Sequence, residues 1–464
     1  MKTRPFKPIV AQRGRSAAVK STETAPGKRP HSGRLPVYQR HRDLLDNGLR
    51  VVTVEVPHLH SALLAVYVRC GSRHETPQNN GVSHFLEHMF FRGSARFPDT
   101  RAMNARVEDA GGDLNGITMR DQGFYYTPLH PRSLAVGFEV LGDLLSGPRL
   151  SDLEIEREII LEEMMDEVDA RGRDVDLGNL AKRLVFGDHP LALKIAGTPA
   201  SVRSLNEAAL REHHRRFYVA QNLVVAVSGK VERAQVLDLT QEAFGGLPRG
   251  RRTTEKAPRF GRQGPSLSFV PHDESQTELM LCFPCPPEGH PDHLPLAILR
   301  AVLDDGLSSW LPLNIVERRG LAYSVHAGID TFNDTAVFEL EAACTPAKVV
   351  PVVEEMARLL RKLGEEPLDD EELERVKRRY RIMLDFTLDD VNTLAGWYGG
   401  SELFRAPETF EERCQAVEAL SARTLQQVAR RTFRKDNLYV CAVGPASGRA
   451  HARLEKAVQA AILG

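Results

Sequence analysis

Two stretches of this chain are punctuated alike. Phe217 to Gly229 reads FYVAQNLVVAVSG and Phe433 to Gly444 reads FRKDNLYVCAVG. Each sets a Phe before a short polar turn with an Asn, then a run of strand-forming residues that closes on Gly. Gly229 and Gly444 lie 215 residues apart (444 − 229), so a unit recurring at that interval in 464 residues means two copies of one domain. A chain of this length also exceeds what one hydrophobic core sustains. Between the copies, PRGRRTTEKAPRFGRQGPS is basic, rich in Gly and Pro and without periodicity, which reads as a linker. The expected organisation is a basic disordered tail over 1–36, an N-terminal domain over 37–247, a linker over 248–266 and a homologous C-terminal domain over 267–464.

Both copies mix strands and helices. LRVVTVEVP and SALLAVYVRCGSRHE are rich in β-branched residues between turn signals and read as strands. Residues 81–93 carry helical periodicity, and Pro98-Asp99-Thr100 opens a further helix that ends at Gly111-Gly112. GDLNGITMRDQGFYYTPL is strand material, residues 132–183 are mostly helical, and 205–216 is a helix before the strand NLVVAVSGKV. In the second copy, LSFVPHDESQTELMLCFPC is strand material and HLPLAILRAVLDDG a helix. LAYSVHAGIDTFNDTAVFELEAAC is a hairpin turning at Asn333-Asp334, and long helices fill 347–432. The fold class is α+β, duplicated.

Charge and cysteine content narrow the function. Lys and Arg number 61 against 62 Asp and Glu, a balance with no global attraction to nucleic acid or anionic membrane. No run of eighteen apolar residues exists, so no membrane span is expected. The start, MKTRPFKPIVAQRGRS, is basic but has no apolar segment of the secretory kind. Of the six cysteines only Cys282-Phe-Pro-Cys285 form a close pair, and no second pair or closely spaced histidines complete a zinc site. They read as buried thiols, which suits a reducing, cytoplasmic setting. The composition of the tail is shared with mitochondrial transit peptides, so the mitochondrial matrix is the alternative compartment.

The sharpest chemical signal is His84-Phe85-Leu86-Glu87-His88. On a helix, residues i and i+4 share a face, so both imidazoles can reach one ion, with bonds of about 2.0–2.1 Å. Glu87 can then approach the open side of that ion and take a proton from water. Phe85, Leu86, Met89 and Phe90 can pack the helix into an apolar wall. A third ligand is required, and SDLEIEREIILEEMMDEVD offers candidates. Glu156 and Glu163 lie two turns apart on one face beside Ile159 and Ile160, while Glu162 points about 100° away. Spacing alone does not choose among these acids.

At these residues the chain resembles the inverzincin metallopeptidases, the pitrilysin, insulinase and mitochondrial processing peptidase family, whose signature is the inverted H-x-x-E-H motif. GVSHFLEHMFFRGSARFPD resembles the family's motif helix, GGDLNGITMRDQGFYY its active-site edge strand, EREIILEEM its third-ligand helix, and GLAYSVHAG a segment of its second domain. The likeness covers about residues 40–460. It implies two homologous α/β-roll domains and one Zn2+ per chain, held by His84, His88 and Glu163. Glu87 is then the general base and Glu156 supports the site from behind. Asn115, Gly116 and Thr118 lie where the substrate backbone adds to a strand edge. Tyr323 is the implied second catalytic residue.

In family members an Arg often precedes that Tyr by seven residues. Here the position is Val316, with Arg318 and Arg319 out of register and Trp310 where an Arg is common. The resemblance thus implies a clam-like homodimer, or a heterodimer with a homologous subunit that supplies an Arg/Tyr pair. The expected activity is endopeptidase action on peptides or unfolded polypeptides. The rival expectation is a non-catalytic assembly or core subunit that keeps the fold.

Overall fold

The computed structural model describes residues 38–261, 264–445 and 448–460. The expected tail over 1–36 lies outside the described residues. Strands β1 (Gln39–Leu44), β2 (Arg50–Glu55) and β3 (Ala62–Val68) lead to helices α1 (Val82–Phe90) and α2 (Thr100–Glu108). Next come strands β4 (Asn115–Thr118) and β5 (Gly123–Leu129), then helices α3 (Leu134–Ser146), α4 (Leu153–Glu163), α5 (Leu177–Phe186), α6 (Pro199–Ser204) and α7 (Glu207–Phe217). Strand β6 (Leu223–Gly229) and helix α8 (Arg233–Phe244) close the first half.

The second half repeats the order. It runs through β7 (Ser266–Pro271), β8 (Thr277–Cys285), α9 (His293–Leu303), β9 (Ser324–Thr331) and β10 (Ala336–Cys344). Helices α10 (Val349–Glu365), α11 (Asp370–Thr387), α12 (Val391–Ala395), α13 (Phe410–Glu418) and α14 (Ala422–Thr432) precede β11 (Tyr439–Gly444) and α15 (Gly448–Ala460).

The sheets have the orders β1-β2-β6-β3-β5-β4 and β7-β11-β8-β10-β9. In each, one parallel pair (β2 with β6, β7 with β11) stands among antiparallel neighbours. The second order is the first without β1, so the duplication expected from the two Phe-to-Gly stretches holds at the level of topology. It holds in atomic detail as well. Asn222 Nδ2 donates to the carbonyls of Phe217 and Arg69 at 2.9 and 3.0 Å. Asn437 Nδ2 does the same with Thr432 and Pro284 at 3.0 and 2.9 Å. Each Asn stitches the end of a helix to the end of the neighbouring strand, which is why both copies need one there.

Each sheet packs its own helices on one face and borrows cover for the other. β3 is buried along its whole length because α3 closes one side while α12 and the π-turn at Gly396–Gly400 close the other. In return α5, from the first half, lies on the second sheet, where Leu177, Leu180, Ala181 and Phe186 pack with Met280, Cys282, Val337 and Cys441. Gly399 permits the exchange: a Cβ there would stand 2.2 Å from that of Ala226 on β6. β5 lies outside this cover, and its residues alternate between buried and half-buried.

The six cysteines are free, and five are buried. Cys282 and Cys285 belong to clusters on opposite faces of the second sheet, so the pair cannot grip one ion. Burial pushes the thiol of Cys285 up to about 12 and raises that of Cys282 well above its ordinary value.

Among the described residues, no helix or strand lies between Phe244 and Ser266. The segment is nevertheless tied down. Glu255 accepts from Arg69, His74 and Asn333, and Arg73 pairs with Asp334 at 2.5 Å. Asp121 accepts from the backbone N–H of Asn333 at 2.8 Å. The 333–334 turn of the second half is thus clamped to the first half through the linker.

Candidate metal centre and active site

Helix α1 presents the motif because its sequence divides cleanly by face. Val82, Phe85, Leu86, Met89 and Phe90 repeat at i, i+3, i+4, i+7, i+8 and are essentially fully buried. His84, Glu87 and His88 are left on the opposite, half-buried side. The residue before the helix is Gly81, which offers no capping side chain. Glu75 supplies the cap from a distance. Its carboxylate accepts from the backbone N–H groups of Gly81 and Ser83 at 2.7 and 2.8 Å and from Asn80 at 2.8 Å. An acid there also complements the positive end of the helix.

Helix α4 crosses α1 with Glu156, Ile160 and Glu163 on the facing side. It is fixed by the buried Arg157, which bonds the carbonyls of Val202 and Leu205 and lies over the ring of Phe85. The expectation that Ile159 helps bury this face is corrected: Ile159 points to solvent and Ile160 is the core residue. The structure also separates the neighbouring acids. Glu162 and Glu163 are both exposed, but it is Glu163 whose Oε2 lies 3.5 Å from His88 Nε2 and 3.9 Å from His84 Nε2.

Among the described residues, His84, His88 and Glu163 form the one group of three whose ligand atoms converge, all within 4.8 Å of one another. Ligands about 2.1 Å from a tetrahedral zinc sit about 3.4 Å apart, close to the 3.5 and 3.9 Å that separate Glu163 from the two imidazoles, so the donor set is of a kind and spacing that zinc accepts. His88 Nδ1 donates to Glu156 at 2.9 Å, which turns Nε2 toward the convergence point. Arg92 Nε holds the other Glu156 oxygen. His84 Nδ1 is buried without a partner.

The electrostatics follow from these contacts. Burial, reinforced by the charge of His88, pushes His84 down to about 4. Burial opposes charge on His88 too, but its bonds to Glu156 and Glu163 prevail and lift it to about 9. The bond to His88 holds Glu163 below the usual carboxylate range. Burial raises Glu87, against the pull of Thr118 and His88.

Thr118 and its neighbours lie on β4, the outermost strand of the first sheet. A side chain on Gly116 would meet the ring of Phe91 at 2.9 Å, so glycine lets this strand run against the end of α1. The hydroxyl of Thr118 donates to Glu87 Oε2. Asn115 and Gly116 are half-buried on the same strand and pair with Tyr126 and Tyr125.

Tyr323 stands apart. It precedes β9 at the edge of the second sheet, is 81% exposed, and no hydrogen bond joins it to the other candidates. Val316 packs against the second core, Arg319 is paired with Glu355 at 2.6 Å, Arg318 bonds Asn314, and Trp310 donates to Glu372. The second half's counterpart of α1 is α9, where no comparable donor group forms among the described residues.

Sequence reasoning missed Glu75, Arg92 and the tie between Thr118 and Glu87. The first had a signal, since Gly81 ahead of the motif means that the cap must come from elsewhere. Arg92 had another, lying one turn past His88.

Comparison with known proteins agrees with this architecture. Residues 50–199 match the family model described as Insulinase (Peptidase family M16), and residues 204–380 match that described as Peptidase M16 inactive domain. The chain belongs to the insulinase family, peptidase family M16. An uncharacterized zinc protease of Mycobacterium tuberculosis is 33% identical over 84% of this chain and 90% of its own length. The mitochondrial-processing peptidase subunit beta of Blastocladiella emersonii is 28% identical over 93% of each chain. A crystal structure of a protease from Helicobacter pylori superposes with a TM-score of 0.80 at 22% identity, over 88% of this chain and all of that one, a likeness that bears on the fold. No helix among the described residues is long and apolar enough to cross a membrane.

Proposed function

We propose that this chain is a zinc-dependent endopeptidase that hydrolyses peptides or unfolded polypeptides. The observation that carries the reading is the meeting of His84, His88 and Glu163 at 3.5–3.9 Å with Glu87 on the same helix face. One zinc ion per chain would be held by those three residues. Bound zinc supplies Lewis-acid polarisation of the scissile carbonyl and acidifies a water molecule toward a pKa of about 7. Glu87 accepts the proton of the attacking water and delivers it to the leaving amine. Glu156, braced by Arg92, keeps the His88 ring turned with Nε2 inward. The open edge of β4 at Asn115, Gly116 and Thr118 takes the substrate backbone as an added strand.

Tyr323 would stabilise the oxyanion from a partner surface, in a homodimer or in a heterodimer whose homologous subunit supplies an Arg/Tyr pair. Its exposure supports this, as do the commitments of Arg318 and Arg319 within their own half. A scaffold role without catalysis has no need of four aligned groups. The test is cleavage of internally quenched peptides by the purified chain, alone and with a homologous subunit. Turnover that chelation abolishes, stoichiometric zinc restores and Glu87→Gln removes without loss of metal is the expected result. A zinc-free, inactive chain under both conditions overturns the reading.

A further inference from the structure

The ladder between β4 and β5 has a definite phase. Met119 N–H donates to Gln122 O at 2.8 Å, making Met119 and Gln122 a hydrogen-bonded pair. Antiparallel pairs alternate, so Ile117 and Asn115 also turn their main chain toward β5. Gly116 and Thr118 turn theirs outward, to an edge that no strand covers among the described residues. Thr118 therefore offers its backbone to whatever pairs with β4. Its side chain, stiff at χ1 because it is β-branched, gives its hydroxyl proton to Oε2 of Glu87.

We infer that Thr118 is a positioning residue that registers the bound peptide with its backbone and aims the Glu87 carboxylate with its hydroxyl. Glu87 has a flexible stem, and the groups that hydrogen-bond its carboxylate among the described residues, a hydroxyl and a main-chain N–H, both belong to Thr118, so its direction depends on this residue. With Oε2 engaged, Oε1 is the oxygen left free to receive a proton. A strand laid along Gly116 and Thr118 and the carboxylate beneath are then held by one residue, which fixes the offset between scissile bond and base. This inference rests on the peptidase reading.

The experiment compares Thr118→Val, which keeps shape and removes the hydroxyl, with Thr118→Ser, which keeps the hydroxyl. Peptide kcat should fall by about ten- to hundredfold in T118V, the scale expected when a hydrogen bond to a charged group is lost. KM should stay within about twofold, and T118S should recover most of kcat. Anisotropy of a labelled peptide on the metal-free protein should give the same Kd for wild type and T118V, because strand pairing uses main chain. Should T118V lose its melting transition, Thr118→Ala against Thr118→Ser carries the same comparison. Undiminished kcat in T118V, a rise in KM and peptide Kd at unchanged kcat, or T118S no better than T118V overturns the inference while the peptidase reading stands. Zinc-loaded wild type that cleaves no peptide, alone or with a homologous subunit, removes both.

Discussion

His88 and Glu156 are joined through Nδ1 at 2.9 Å, and this bond decides which nitrogen of His88 faces Glu163. The carboxylate sits on α4 and the imidazole on α1, so the relationship spans two helices and fixes a ring that could otherwise flip.

Removing that carboxylate should loosen the metal without unfolding the chain. Glu156→Gln is expected to weaken zinc binding by about 10–100-fold, the usual consequence of losing a partner behind a ligating histidine. Competition against a chromophoric chelator measures it, with circular dichroism as the control for fold. Unchanged affinity would show that His88 is oriented by packing alone.

Glu75 should matter to stability more than to metal affinity. Glu75→Ala strands the N–H groups of Gly81 and Ser83 in a buried setting. Each such orphan costs about 1–3 kcal/mol, so urea unfolding should lose about 2–6 kcal/mol. A loss below half a kcal/mol would mean that water replaces the carboxylate.

Acid should destabilise the chain through His213. This ring is buried against Cys70 and Ser83, each at 3.0 Å, and burial pushes it down to about 3. The unfolded ring titrates near 6.5. Above that pH both states are neutral and nothing is lost. As pH falls from about 6.5 toward 3, only the unfolded state takes the proton, at about 1.4 kcal/mol per pH unit. Wild type should lose about 2 kcal/mol more than His213→Gln between pH 7.5 and pH 5 in paired urea titrations. Parallel curves would remove His213 from the acid response.

The contact of Gly399 with Ala226 predicts a further loss. Gly399→Ala forces the π-turn away from β6 and should cost about 1–3 kcal/mol, as overpacking does. Protease cleavage near 390–405 should accelerate with it.

Much of this was legible in the sequence, for identifiable reasons. Helix α1 could be read because its core residues and its candidate ligands share one helical period. Asn222 and Asn437 could be matched because they do the same local job twice. The choice of Glu163 over Glu162 was not legible from spacing, since it depends on how α4 lies across α1, and Arg157 sets that from beneath. Glu75, Arg92 and the Thr118–Glu87 bond join residues on separate elements, which no local pattern encodes. The crossing of α5 and α12 to opposite sheets was hidden for a related reason: an amphipathic helix looks the same whichever sheet it covers.

That crossing makes the two repeats hostages to each other. A fragment ending in the linker would keep α5 but leave the α12-facing side of β3 and β6 bare, and the complementary fragment would show a naked Met280–Cys282–Cys441 surface. Each piece would expose a broad apolar sheet face, the kind of surface that drives association. Cutting the gene at its evident seam should therefore yield aggregates, while co-expression of both pieces should let them reassemble like two hands reclasping.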